Sequence, residues 1–297
     1  MTPEIANLLV ALEGAGYVAE PATATAVFLA RATGKPLLIE GDAGVGKTEL
    51  AKVLARLLDT ELIRLQCYEG LDVQTALYEW DYARQMLRLR MAEARGESVD
   101  SIESHIFSRD YLLERPLLRA ITRQDGPAVL LIDEIDRADD GFEAFLLELL
   151  SDFQVTIPEI GTIKAEHPPH VVLTSNRTRE LGDALRRRCL YLYLDHPTLD
   201  REIRIIRARC PEAGGVLPGE IARFLQALRE RRLVKPPGVA ETLDFARALT
   251  ALRRGSLEPD VVAQTLGCLL KDKHDLEAIS DSDVATLVAR ARGEAAP

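Results

Sequence analysis

The chain predicts an α/β fold, a parallel five-stranded sheet between helices with a β-hairpin before the fourth strand, followed by an all-helical region. Three observations predict it. Short apolar runs alternate with longer stretches of helical period as far as residue 195, the pattern of parallel strands buried on both faces. Past DHPTLD only helical period remains. At 297 residues the chain is long enough for two cores, and the HP at 196–197 marks the joint. The expected domains are 1–195 and 196–297.

The elements follow in order. MTPEIANLLVALEG opens a helix with Thr2 as cap and Pro3 in the first turn. A second apolar-periodic stretch, PATATAVFLARA at 21–32, leads into PLLIEG, a buried-strand pattern that ends at Gly41. A helix from Lys47 to Leu58, the strand ELIRLQC, and one long helix through LYEWDYARQMLRLRMAEA are expected next. A polar stretch, RGESVDSIES, precedes a helix around ERPLLRAI, and AVLLIDE (128–134) is the third strand. EAFLLELLSDF reads as a helix, QVTIPEIGTIK as a hairpin turning at Pro158–Gly161, HVVLTSN as the fourth strand, and CLYLYL (189–194) as the fifth. DALRRRC lies on a short helix between the last two strands. Helices at 198–209, 217–230, 239–253 and 258–292, the last with breaks, complete the chain.

GDAGVGKT fits GxxxxGK[ST] and lies directly after a strand and at the opening of a helix, the context that a phosphate cradle needs. The candidate phosphate-binding residues are Gly41, Asp42, Ala43, Gly44, Val45, Gly46, Lys47, Thr48 and the adjoining Glu49. Glycines let backbone N–H groups wrap phosphates, Lys47 reaches the β and γ phosphates, and Thr48 offers its hydroxyl to Mg²⁺. VLLIDE supplies the hydrolytic half: Asp133 is placed to hold Mg²⁺ through water, and Glu134 to polarise an attacking water. Asn176 ends the next strand, where open α/β sheets bind ligands, and either orients that water or serves as a turn residue.

Composition excludes other classes. The charge balance is 37 Lys and Arg against 47 Asp and Glu, a net −10 that argues against nucleic acid as a partner. No run of eighteen apolar residues predicts a membrane span, and an acidic residue stands where a signal peptide carries a base. Cys67, Cys189, Cys210 and Cys268 form no CxxC pair and are expected as reduced thiols of a cytoplasmic protein. The spacing HPPH at 167–170 is read as a loop, since two prolines preclude a ligand face. The basic LRERRLVKPP is read as a solvated helix end. Tyr78, Trp80 and Tyr82 are read as packing groups rather than a ligand stack.

The order of phosphate loop, DEIDRA (133–138), hairpin, TSN, LRRRC and helical bundle resembles the AAA+ ATPases. Within them it is similar to the MoxR family, on Asp133–Ala138, the helix Leu146–Asp152 and the hairpin start Gln154–Thr156. LYEWDYARQML (77–87), SRDYLLERPLLRAI (108–121) and KPPGVAETLDFARAL (235–249) look like the CoxD-like branch, associated with maturation of molybdenum-copper carbon monoxide dehydrogenase. The resemblance implies a P-loop AAA+ core followed by a helical lid, with ATP and Mg²⁺ as ligands. It places the water-orienting sensor on Asn176 and the arginine finger on Arg188, with Arg186 as second candidate. It further implies a ring, a hexamer, that remodels a client protein, with a von Willebrand A domain partner, a metalloenzyme client, and hairpin residues 155–163 free to line a pore. One departure stands out: Glu241 and Thr242 occupy the place of the lid arginine that senses the γ-phosphate, and Arg247 follows more than a turn later. The rival readings are a DNA-remodelling or helicase-loading ATPase and a nucleotide-dependent scaffold with little turnover.

Overall fold

The computed structural model describes residues 1–95 and 106–294. The polar stretch expected from Arg95 to Ser104 lies, beyond Arg95, outside the described residues. The chain divides into two units: Met1–Ala24 with Gly41–Val53 and Tyr193–Pro297, and Thr25–Glu40 with Leu54–Leu192. The helical residues after Asp195 thus belong with the first helix and the glycine loop.

The strands are β1 (Leu37–Gly41), β2 (Leu62–Gln66), β3 (Tyr78–Trp80), β4 (Leu112–Glu114), β5 (Val129–Asp133), β6 (Gln154–Ile157), β7 (Gly161–Lys164), β8 (His170–Ser175) and β9 (Leu190–Leu194). The main sheet runs β2-β5-β8-β1-β9, and the pairs β2–β5, β5–β8 and β8–β1 are parallel. The sequence explains who sits where. VLLID of β5 is buried at all five positions, as a central strand covered on both faces must be, whereas LIRLQ of the edge strand β2 exposes Arg64 between buried Ile63 and Leu65. The expected hairpin is β6–β7, in register Thr156 with Thr162.

The second unit corrects one expectation. The helix read as continuous through LYEWDYARQML is interrupted: β3 pairs antiparallel with β4, and the helix Tyr82–Arg95 starts only after Asp81. Aromatic residues favour the pleated surface, and the Asp81 carboxylate accepts from the Arg84 amide at 3.0 Å as a helix cap. Tyr78 and Trp80 pack on the core with edge-on rings 6.1 Å apart, while Tyr82 is exposed. A smaller correction concerns Thr2, which stands at the N-cap position without a side-chain capping bond.

In the first unit, the helices Leu199–Arg209, Leu217–Arg229, Val239–Ala251 and Asp281–Arg292 bury one apolar cluster, with Phe224 stacked on Phe245 at 6.0 Å. Inside it lies an ion pair. The fully buried Glu202 carboxylate accepts from Arg229 at 2.7 and 2.8 Å, from Thr242 Oγ1 at 2.9 Å and from Gln226 Nε2 at 3.1 Å. A buried pair is costly to break because the survivor keeps an uncompensated charge. Glu202→Ala is therefore expected to lower unfolding stability by about 3–5 kcal/mol. Urea titration checks this, and a loss below about 1 kcal/mol, the worth of an exposed pair, would contradict it.

Candidate functional site

The glycine loop enters from β1, whose last core residue Glu40 pairs with Ser175 of β8. Gly41 has φ +153°, and a Cβ there would lie 2.2 Å from the Leu194 carbonyl oxygen, so no other residue fits without moving backbone. Gly44 has φ +78°, and its carbonyl accepts from the amides of Val239 and Ala240 at 2.9 and 3.3 Å. The first turn of helix Val239–Ala251 thereby caps the loop. Lys47 is 6% exposed, and its Nζ donates to the carbonyls of Gly41 at 2.7 Å and Asp42 at 2.6 Å. A buried ammonium needs such partners, and they hold it on the loop. Lys47 and Thr48 open the 11-residue helix Lys47–Leu57, whose N-terminal amides and dipole favour an anion. Glu49 is committed elsewhere, accepting from Arg209 at 2.8 Å. Asp42 is exposed and faces His196 Nε2 at 3.3 Å; burial and the Arg229 charge hold His196 below its ordinary pKa.

A cavity of about 240 Å³ adjoins the loop, walled by Gly44–Gly46, Tyr17 and Val18, and side chains of two later helices. Arg247 lines it. Of the residues in the lid-arginine position, Glu241 accepts from the Gly238 amide at 2.9 Å, and Thr242 is buried on Glu202. The charge absent from the start of that helix thus reappears a turn and a half later, on the cavity wall.

The acid pair lies in the second unit. Asp133 is 3% exposed; its Oδ1 accepts from Thr174 Oγ1 at 2.5 Å, and its Oδ2 from Arg64 Nε at 3.0 Å and Nη2 at 2.6 Å. Glu134 has φ +56° and ψ +50°, and its amide donates to the same Thr174 hydroxyl at 2.9 Å. A non-glycine residue in the left-handed region is strained, and such residues gather at functional sites. The turn aims the carboxylate at three donors: Asn176 Nδ2 at 3.4 Å on Oε1, with Gln66 Nε2 at 3.1 Å and Arg137 Nε at 2.8 Å on Oε2. Asp133, Glu134 and Asn176 are therefore brought together. Sequence reading missed Thr174, Gln66, Arg64 and Arg137. The signal for Gln66 was its place at the carboxyl end of β2, and for Thr174 its place inside TSN.

The arginines separate. Arg186 Nη2 lies 3.5 Å from Glu40 Oε2, its guanidinium stands 5.7 Å from the Tyr191 ring centroid, and Tyr191 Oη donates to the same Glu40 oxygen at 2.9 Å. Residues two apart on a helix point about 200° apart, so Arg188 faces away from this cluster. Among the described residues Arg187 and Arg188 are exposed and form no ion pair.

The model of the AAA domain, dynein-related subfamily, matches residues 36–189. The chain is similar to gas vesicle ATPase GvpN1 of Halobacterium salinarum, 29% identical over 207 residues that span 67% of this chain and 57% of that protein. It is also similar to gas vesicle ATPase GvpN of Haloferax mediterranei, 26% identical over 265 residues, 86% of this chain and 74% of that one. Among solved structures, a RuvB mutant of Thermotoga maritima matches 94% of this chain and 72% of its own at 19% identity and a TM-score of 0.49.

Proposed function

Because the chain belongs to the AAA domain family, dynein-related subfamily, we propose that it is a MoxR-type ATPase that hydrolyses ATP to ADP and phosphate and, as a ring, uses the reaction to remodel a client protein. The observation that carries this reading is the grip of Asn176 and Gln66 on the Glu134 carboxylate, one residue after buried Asp133. Gly41 to Thr48 receive the phosphates, with Lys47 on the β and γ groups. Glu134 accepts a proton from the attacking water, and Asn176 positions that water against the γ-phosphate. Thr48 and Asp133 offer hard oxygen donors of the kind Mg²⁺ takes and would hold the ion, which when bound neutralises charge on the phosphate oxygens.

The domain reading is residues 1–195 as the nucleotide-binding domain and 196–297 as the lid. Arg188 is the arginine finger, entering the site of a neighbouring copy, since Arg186 is engaged with Glu40 and Tyr191 of its own chain. A finger that acts on a neighbour needs a head-to-tail interface, which closes into a ring; the resemblance to the AAA+ ATPases makes that ring a hexamer.

The client follows the CoxD-like motifs: a metalloenzyme of the carbon monoxide dehydrogenase kind, with a von Willebrand A domain partner. The gas vesicle ATPases favour a second client, the protein assembly that their names indicate. Co-purification from the native host distinguishes these, and recovery of neither removes both.

Phosphate release from Mg-ATP, with particle size measured with and without ATP, tests the activity. Turnover in a six-copy ring is expected. Tight binding without turnover would select the scaffold reading, and salt-sensitive stimulation by DNA the DNA-remodelling one.

A further inference from the structure

Asp133 ends a strand that is buried along its whole length. A carboxylate in that position needs compensation for the water it has lost. The Thr174 hydroxyl supplies part of it, at 2.5 Å on Oδ1. A full positive charge is added by Arg64, which donates to Oδ2 from Nε at 3.0 Å and from Nη2 at 2.6 Å. Arg64 lies on the edge strand β2, two residues before Gln66, whose register partner is Asp133. Alternation along the strand puts Arg64 and Gln66 on one face, and Arg64 Nη2 also donates to Gln66 Oε1. The two ends of the ion pair differ in exposure: the arginine side chain is 49% exposed and the aspartate side chain 4%. The guanidinium therefore has solvent to withdraw into, whereas the carboxylate stays where the strand holds it.

The same carboxylate offers Mg²⁺ a hard oxygen donor. A guanidinium and a divalent cation then draw on one negative charge. We propose that Arg64 is an internal competitor of the metal ion at Asp133, neutralising the carboxylate when no ion is held and setting how tightly an ion binds. This rests on the reading of Asp133 as a metal-holding residue. With its charge matched by Arg64, Asp133 attracts a free divalent ion weakly, and the ion is retained only beside the added negative charge of a nucleotide's phosphates.

Mn²⁺ takes the same oxygen ligands as Mg²⁺, and its electron paramagnetic resonance signal counts the ion left free in solution. The full chain saturated with ADP is titrated with Mn²⁺, as are Arg64→Gln and Arg64→Lys. The ion pair is buried at one end and exposed at the other, so Arg64→Gln is expected to bind Mn²⁺ roughly 5- to 100-fold tighter, between the worth of an exposed and of a buried pair. Arg64→Lys keeps the charge without the fork and should fall between the two. The gain should vanish when Arg64→Gln is combined with Asp133→Asn. Arg64→Ala, with the same expected gain, stands in if the glutamine variant does not fold, and loss of the fold in both would make Arg64 structural and overturn the proposal. Unchanged or weaker Mn²⁺ binding, an equal gain in Arg64→Lys, or a gain that survives Asp133→Asn would also overturn it, while leaving the nucleotide reading intact. ADP affinity in EDTA is measured alongside: if the unaltered chain binds no ADP, the nucleotide reading falls and takes this one with it.

Discussion

Glu134→Gln is expected to cut ATP turnover by about 10²–10⁴-fold, the span that a positioned general base contributes, while ATP remains bound. The substitution keeps the side-chain length and the left-handed turn that aims it. It removes the basic oxygen, and at Oε2 an amide nitrogen would meet the donors Gln66 Nε2 and Arg137 Nε, so the amide must rotate or give up a partner. Thr174 still fixes Asp133 and the Glu134 backbone amide, so the rest of the strand end persists. Rapid quench with radiolabelled ATP separates the two steps. Retained binding with turnover gone is the expected pair of results, and turnover within a few-fold of the unaltered chain would remove Glu134 from the chemistry.

Arg188→Ala carries the other large effect, about 10³–10⁵-fold in turnover, the range for an arginine finger. The size arises because a guanidinium stabilises charge that grows only as the phosphoryl group transfers. Arg186→Ala is expected to act differently. It frees Glu40, 5% exposed and one residue before the glycine loop, from its guanidinium partner, and leaves Tyr191 as the remaining donor. Its effect should appear in thermal stability and nucleotide affinity, with turnover retained at saturating ATP. Reversal of the two phenotypes would move the finger to Arg186.

Much of this was legible in the residue order. The strand–loop–helix around GDAGVGKT and the strand ending in Asp133 and Glu134 came from patterns a few residues long, which local sterics and periodicity control. What escaped was long-range. Gln66 reaches Glu134 because β2 pairs with β5 in the register Gln66 with Asp133, and no local pattern announces a register between strands so far apart in sequence. Thr174 was hidden for the same reason, its partners lying forty residues back on a neighbouring strand. The left-handed turn at Glu134 was hidden too, because the residue type disfavours it and only the surrounding bonds hold it. The break at Tyr78–Trp80 was readable in principle from aromatic β-propensity and the capping Asp81, but the helical period of the flanking residues masked it.

That Arg188 of one copy acts on the nucleotide bound by another is tested most directly by mixing two inactive variants. Glu134→Gln lacks the base and keeps the arginine; Arg188→Ala lacks the arginine and keeps the base. Each alone should be nearly inert, and an equimolar mixture reassembled in Mg-ATP should regain turnover, because some interfaces then carry both intact groups. A mixture no faster than the sum of its parts, in particles shown to contain both variants, would contradict the account.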